Sequence, residues 1–327
     1  MDYSLVSILI PVYNRISLVG ETIDSAINQT YKNIEIIIVD NCSTDGTWEL
    51  LQQYAEKDKR IRILRNKVNI GPVLNWKKCI DNAQGEFAKI LFSDDIIEPN
   101  FLEQTLPFLE NSDVGFVYST VKMGADISES QITYRSFTHS GIYSSASFIE
   151  KSLYGSDVPI SPGCAIFRLK DLKENLVSNI PSPSINDFLD HGAGPDLLLY
   201  LLTAKKYSLI AFVDKPLIFF RAHKESISLS DKSSHLTKCY IQAKIWFVEN
   251  YFNKNEINRY HSHIWYQLWR GNGMWISPKK TLNEYTHSFN RLSIMSLFEL
   301  LKFILKSNLK INKINKELKN NFSQMLI

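Results

Sequence analysis

The sequence has no G-x-G-x-x-G after its first strand-like segment and no G-x-x-x-x-G-K-S/T anywhere. The two glycine loops that cradle a dinucleotide or a nucleoside triphosphate with backbone N–H groups are therefore missing, and redox or P-loop chemistry loses its main mechanical part. Cysteine is scarce as well. Cys42, Cys79, Cys164 and Cys239 are far apart and show neither the CxxC pairs of a zinc site nor a small secreted framework, so reduced thiols are expected. HExxH is absent, and His261 and His263, two apart in a helix-like stretch, face different sides and read as structural. The N-terminus MDYSLVSILIPVYNR has no basic n-region and its apolar run breaks at Pro11, so neither a signal peptide nor a membrane span is read there, and a cytoplasmic location is expected. A net charge of +3 falls short of a dense basic stripe, so nucleic acid is not an expected partner.

What is present is ample apolar material, 44% of 327 residues, in a β-α-β-α rhythm. Strands are expected at Val6 to Ile10, Ile34 to Val39, Arg60 to Leu64 and Phe87 to Phe92. Helices are expected over roughly 16–28 and 46–56, after Gly71, and after Phe92 with Pro99 in the first turn. Near-continuous apolar strands between helices imply an α/β fold with a mostly parallel, covered sheet. From about 114 to 145 the pattern changes to short strands rich in Val, Tyr, Thr and Ser. A strand at Cys164 to Phe167, a helix over roughly 194–206 and two short strands, Leu209 to Val213 and Leu217 to Phe220, follow. The expected division is a domain over 1–230, with halves 1–112 and 113–230, and a helical region over 231–327. There Trp246, Trp265, Trp269 and Trp275 read as helix core. Between Leu300 and Phe322, Lys302, Lys306, Lys310, Lys313 and Lys316 recur opposite Phe303, Ile304, Leu305 and Ile314. This basic amphipathic pattern suits either peripheral membrane contact or a solvated face packed on the domain.

In an open α/β sheet ligands bind beyond the carboxyl ends of the strands, so the polar residues there are the candidates. Strand one ends in Pro11-Val12-Tyr13-Asn14-Arg15, strand two in Asp40-Asn41, strand three in Arg65-Asn66 and strand four in Ser93-Asp94-Asp95. Without a glycine cradle, a diphosphate bound at this rim needs another source of positive charge. Carboxylates holding a hard divalent cation such as Mg²⁺ or Mn²⁺ supply it. Taken alone, Asp94 and Asp95 serve equally as turn or capping residues.

The segments SILIPVYNR, IEIIIVDNCSTDGT, VNIGPVLNW and KILFSDDIIEPN, in this order, resemble the family 2 glycosyltransferases with the GT-A fold. The resemblance is clear over about the first 110 residues, and its later landmarks extend to about residue 228. It implies that Pro11, Tyr13 and Asn14 line a nucleotide base and ribose, and that Asp40 contacts the base, with an Asx turn as the alternative. Asn69, Gly71 and Asn75 match a loop and helix start beside the nucleotide. The family's acidic motif is commonly D-x-D or D-S-D-D, and here Phe92 stands where the first acid would be. The resemblance then implies Asp95 as the metal ligand and Asp94 as ribose or outer partner, roles that are open to exchange.

Farther along, Gly163 matches a segment that closes the sugar-acceptor pocket, and Asp196, which opens a helix after Gly194-Pro195, matches the catalytic base. An acid at that position also suits the helix dipole, and His191, Asp187 and Asp190 are nearby alternatives. Phe220-Arg221-Ala222-His223 resembles a closing segment in which Arg221 meets phosphate and His223 adds a metal ligand, against a reading of both as ordinary surface residues. The whole implies metal-dependent, inverting transfer with Mn²⁺ or Mg²⁺. The resemblance implies a UDP-sugar donor, and with the basic C-terminal stretch the expected acceptor is a saccharide or lipid-linked oligosaccharide of a bacterial surface polysaccharide such as O-antigen or capsule. The rival readings are a nucleotidyltransferase, against which the lack of a basic glycine loop counts, and a catalytically silent sugar- or nucleotide-binding homologue.

Overall fold

The structure is a computed structural model, and it describes residues 4–155, 157–224, 226, 234–272 and 282–286. The chain divides into two compact units, Met1–Ile180 with Ile185–Lys244, and Pro181–Ser184 with Ile245–Ile327. This division differs from a boundary at 230 by the first residues of the helix His235–Tyr251, which group with the first unit. The basic stretch over 300–322, Trp275 and the side chain of Trp269 lie outside the described residues.

In the first unit, strands β1 (Val6–Val12), β2 (Ile34–Asp40), β3 (Ile61–Arg65) and β4 (Phe87–Ile90) pair in parallel in the order β3-β2-β1-β4. Strands β1 and β2 are buried almost throughout because helices cover the sheet there: every residue of β1 is buried. Helix α1 (Val19–Ile27) shows how a connection achieves this, burying Val19, Thr22, Ile23 and Ala26 at three- and four-residue spacing. Helices α2 (Thr47–Lys57) and α3 (Pro72–Asn82) complete the expected rhythm.

Three expectations are corrected. Pro99 precedes the first turn of α4 (Phe101–Leu109), because a two-residue strand β5 (Ile96–Ile97) intervenes. The Pro99 carbonyl accepts the Thr30 N–H at 2.8 Å. The region after 114 begins with one long strand, β6 (Val114–Gly124), whose first eight residues are buried, and short strands follow only at β7 (Gln131–Thr133) and β8 (Gly141–Ser144). Past helix α5 (Ser145–Tyr154), a short 3₁₀ turn leads into β9 (Ala165–Arg168). Helices α6 (Leu169–Asn175), α7 (Phe188–His191) and α8 (Pro195–Lys206) come next. The last strand, β10 (Leu209–Arg221), replaces the two expected short ones, its pairing with β6 shifting register around Val213 to Pro216. Pro216 cannot donate to the ladder, so the strand accommodates it as an irregularity.

The full order is β3-β2-β1-β4-β9-β6-β10-β5, with β7 on β6 and β8 on β10. Because β9 runs antiparallel to both neighbours, β6 and β10 point the same way as β1 to β4. The reversed strands β5, β7, β8 and β9 have two to four residues each, so the sheet is mostly parallel by direction. Helix α8 is buried at every position from Pro195 to Ala204, as befits a helix enclosed on all sides. In the second unit, the helix Lys254–Asn272 buries Tyr260 and Trp265, and His261 bonds Glu249 at 3.0 Å, in keeping with a structural histidine.

Candidate active site

At the ends of β1 to β3 the polar residues mostly bond one another. Asn14 adopts a left-handed φ of 49°. Its N–H donates to Ser43 Oγ at 2.8 Å while its side-chain oxygen accepts the Thr44 N–H at 2.9 Å, which locks the turn after β1 to the turn after β2. Pro11 is buried in β1 opposite Val39, whereas Tyr13 is 42% exposed. The Asp40 carboxylate is fully buried, accepts the Ser43 N–H at 3.1 Å, and pairs with Arg65 Nε at 3.1 Å. The Asx-turn geometry at Asp40 is thus present, and the Arg65 guanidinium in turn lies over the Trp48 ring at 5.2 Å.

A buried asparagine network lies beside it. Asn66 donates to Asn41 and Asn75, both at 2.9 Å, and accepts from Lys78 at 2.6 Å. Asn41 donates to Asn69 at 2.7 Å, and Asn75 donates to the Val39 carbonyl at 2.9 Å. Gly71 opens α3 with φ of 80°, and a Cβ there would lie 2.9 Å from the Leu189 carbonyl oxygen, so only glycine fits without displacement. Asn69, Gly71 and Asn75 therefore hold the strand ends and the start of α3 together.

The acidic pair meets residues from the far end of the domain. Asp95 is 6% exposed and accepts the Arg221 N–H at 3.2 Å. Burial, and then the neighbouring Asp94 charge, push its carboxyl well above the usual range, against the opposing pull of the Arg221 N–H and Lys89. Asp94 Oδ2 lies 2.8 Å from His223 Nε2 and 3.9 Å from Arg15 Nε. His223 thus contacts Asp94, while Asp95 is held by the Arg221 backbone. Arg221 also donates to Glu21 at 2.5 Å, and its buried Nε has no hydrogen-bond partner among the described residues. Carboxylate and imidazole are donor types that a divalent cation such as Mn²⁺ takes, but among the described residues the ligand atoms of Asp94, Asp95 and His223 do not close to within 4.8 Å of one another; Arg221 Nε remains a buried N–H without a partner there.

Gly163 lies against this group: a Cβ there would meet Phe92 at 3.1 Å and Phe220 at 3.2 Å, the residues preceding Ser93 and Arg221. Its carbonyl accepts a hydrogen bond from Lys89, a fully buried amine that also donates to the Ile90 carbonyl at 2.9 Å. Burial lowers the Lys89 ammonium to about 8.

Asp196 opens α8. Its Oδ1 accepts the N–H groups of Gly194 at 2.8 Å and Leu197 at 2.7 Å, and its Oδ2 accepts the Tyr240 hydroxyl at 2.8 Å. Burial raises the carboxyl to about 7 even though these three donors favour its ionised form. Tyr134, with a left-handed φ of 63°, is a buried phenol that burial, and to a lesser extent the Cys164, Asp196 and Asp95 charges, pushes up. The alternative acids take other partners: Asp187 and His191 face His235 and Cys239, and Asp190 N–H bonds back to Asp187.

Among the sequence candidates, Asp94, Asp95, Gly163, Arg221 and His223 come together, whereas Asp196 is bonded to Gly194, Leu197 and Tyr240. Lys89, Tyr134 and Tyr240 were not among the candidates. Lys89 had a readable signal, a lone charge inside the apolar run FAKILF. The two tyrosines carry none, because only folding brings them to the acids.

Comparison with known proteins adds three findings. A family model described as "Glycosyl transferase family 2" matches residues 7–176. The Bacillus subtilis protein TuaG, named as a glycosyltransferase of teichuronic acid biosynthesis, is 36% identical over 115 residues. That match covers 35% of this chain and 46% of TuaG, so the chain spans less than half the length of this relative. Glycosyltransferase GlyG of Streptococcus pneumoniae is 34% identical over 113 residues, covering 35% of this chain and 38% of GlyG. Among solved structures, S. aureus TarS 1-349 in complex with UDP-GlcNAc superposes with a TM-score of 0.63 at 17% identity, covering 92% of this chain and 79% of that one. This likeness establishes a shared GT-A type fold.

Proposed function

We propose that this chain, which belongs to glycosyl transferase family 2, transfers a sugar from a nucleotide-sugar donor to a hydroxyl of a saccharide or lipid-linked acceptor. The donor is UDP-linked, a reading supported by the fold shared with a UDP-GlcNAc complex. TuaG's name supports a bacterial surface polysaccharide as the product. The observation that carries the reading is the meeting of Asp94 and Asp95 with Arg221 and His223 at the carboxyl ends of parallel strands.

In the inverting mechanism that follows, Asp196 accepts the proton of the acceptor hydroxyl as that oxygen attacks the anomeric carbon, on the face opposite the departing nucleoside diphosphate. Its carboxyl near 7 matches a base working at neutral pH, and Tyr240 and the two backbone N–H groups fix its orientation. Asp95 and His223, with Asp94 beside them, would hold Mn²⁺ or Mg²⁺, and the bound ion offsets the charge developing on the diphosphate. Arg221 Nε meets a phosphate oxygen. Asp40, Pro11, Tyr13 and Asn14 form the wall for base and ribose, with Asn69, Gly71 and Asn75 shaping that wall from behind. Gly163 keeps the backbone close to the sugar.

The test is Mn²⁺-dependent hydrolysis of a panel of UDP- and GDP-sugars by the full chain, read as nucleoside diphosphate. Its release with a UDP-sugar is the expected result. Pyrophosphate release would establish nucleotidyl transfer instead, and no metal-dependent nucleotide binding would establish a silent homologue. For residues 300–327 the proposed role is peripheral attachment to anionic membrane. Equal co-sedimentation with anionic liposomes with and without that segment would overturn it.

A further inference from the structure

One cluster of chemically capable side chains has no part in the proposed transfer. Asp187 and His191 stand four apart across α7, and His235 and Cys239 stand four apart on the helix His235–Tyr251. One potential ligand atom from each lies within 4.8 Å of all the others. Asp187 Oδ1 is 3.1 Å from His235 Nε2 and 3.5 Å from His191 Nε2, and Cys239 Sγ is 3.6 Å from Nε2 of each histidine.

Around a tetrahedral Zn²⁺ with ligand distances of about 2.0–2.3 Å, neighbouring donor atoms sit about 3.3–3.6 Å apart. Three of these four separations have that spacing, and the fourth is at hydrogen-bond length. We propose that Asp187, His191, His235 and Cys239 form a Zn²⁺ site. A thiolate with two imidazoles is a soft and intermediate donor set, which favours zinc over the magnesium or manganese suited to the Asp94–Asp95 pair. Cys239 is fully buried while the His235 and Asp187 side chains are 38% and 37% exposed, which leaves a solvent path to the site.

Zinc on His191 Nε2 leaves the hydrogen on Nδ1, which now accepts the Ala193 N–H at 3.0 Å, so the Ala193 peptide has to turn. It lies between Gly192 and Gly194, whose φ values of 79° and 107° are conformations that glycine adopts without strain. The ion would also give a four-residue helix, too short to persist alone, a second anchor. Cys239 immediately precedes Tyr240, the donor to Asp196 Oδ2, so the same anchor steadies the partner of the proposed base. The site itself stands whether or not the chain transfers sugar.

The experiment is a Co²⁺ titration of the chelator-treated full chain, followed by Zn²⁺ displacement. A single equivalent is expected to produce a thiolate-to-cobalt charge-transfer band with the visible bands of tetrahedral Co²⁺, lost on adding Zn²⁺. Cys239→Ser should remove the charge-transfer band. His235→Gln, at a half-exposed position that spares the core, should weaken Zn²⁺ binding roughly tenfold or more. Asp94→Asn should leave the spectrum unchanged. A wild-type chain without the band, a band that survives in Cys239→Ser, unaltered Zn²⁺ affinity in His235→Gln, or a band lost in Asp94→Asn would each overturn the proposal.

Discussion

The two halves of the first unit build polar sites in opposite ways. Along β1 to β3 the candidate residues hold one another through short loops: Asn14 reaches Ser43 and Thr44, and Asn41, Asn66, Asn69 and Asn75 share a network. Beyond β4 each acid is held by a residue far away in the chain, Asp95 by Arg221, Asp94 by His223 and Asp196 by Tyr240. The first arrangement is a rigid rim whose polar groups are already satisfied. The second buries Asp95 and Asp196 and raises their carboxyls, so that these two hold protons more readily than ordinary carboxyls. A rim shapes a ligand, whereas acids held in this way are poised to react.

The strongest test of that contrast is Asp196→Asn, which should lower transfer roughly 10²–10⁴-fold, the usual worth of a general base, with UDP-sugar affinity unchanged. Near-normal turnover would place the chemistry elsewhere. In the wild-type chain the rate should rise with pH through about 7, because the carboxyl must be ionised to accept a proton. Stability runs the other way. The folded state holds this proton more tightly than the unfolded chain, so the contribution of Asp196 is fully present below about 4 and is lost as pH rises through about 7. Urea melts across that window measure it.

Next in size is His223→Ala, expected to raise the Mn²⁺ concentration for half-maximal activity roughly 10–100-fold. An unchanged Mn²⁺ requirement would leave His223 as a hydrogen-bond partner of Asp94 alone. On the rim, Asn66→Ala removes the donor to the buried Asn75 oxygen and one of the two donors to Asn41, and should cost about 1–3 kcal/mol. The melting temperature is the measurement, and a fall of roughly 2–4 °C per kcal/mol is expected for a domain of this size. No loss there would mean that the rim is not the rigid half. The smallest effect belongs to Tyr240→Phe. Removing a hydroxyl that favours the ionised carboxylate should move the rising limb of the rate profile up by about one pH unit, with activity recovered at higher pH.

The same contrast explains what was legible in the sequence. β1 to β4 and α1 to α3 could be read because each is a local periodic pattern closed by a turn within a few residues, and the rim residues sit at those turns. The single strand Leu209–Arg221 was read as two, since Asp214-Lys215-Pro216 looks like a break and only its pairing with β6 shows that it continues. Tyr134 and Tyr240 were invisible because their importance comes from proximity to Asp95 and Asp196. The scattered cysteines gave no metal pattern for a related reason: Cys239 meets His191 across 48 residues of chain, and no spacing rule spans that distance.

The short reversed strand β9 has a consequence for the order of assembly. It fills the slot between β4 and β6, yet both of those strands are synthesised before it, and they point in the same direction. A nascent chain that has emerged only past Gly124 therefore carries an open β4 edge and a complete β6 able to dock on it in parallel, in a pairing the finished sheet does not contain. Ala165–Arg168 must take that place to give the finished order, whereas the long contact between β6 and β10 forms on the other edge of β6. Four residues thus decide whether the sheet grows to its full width or stalls half-built.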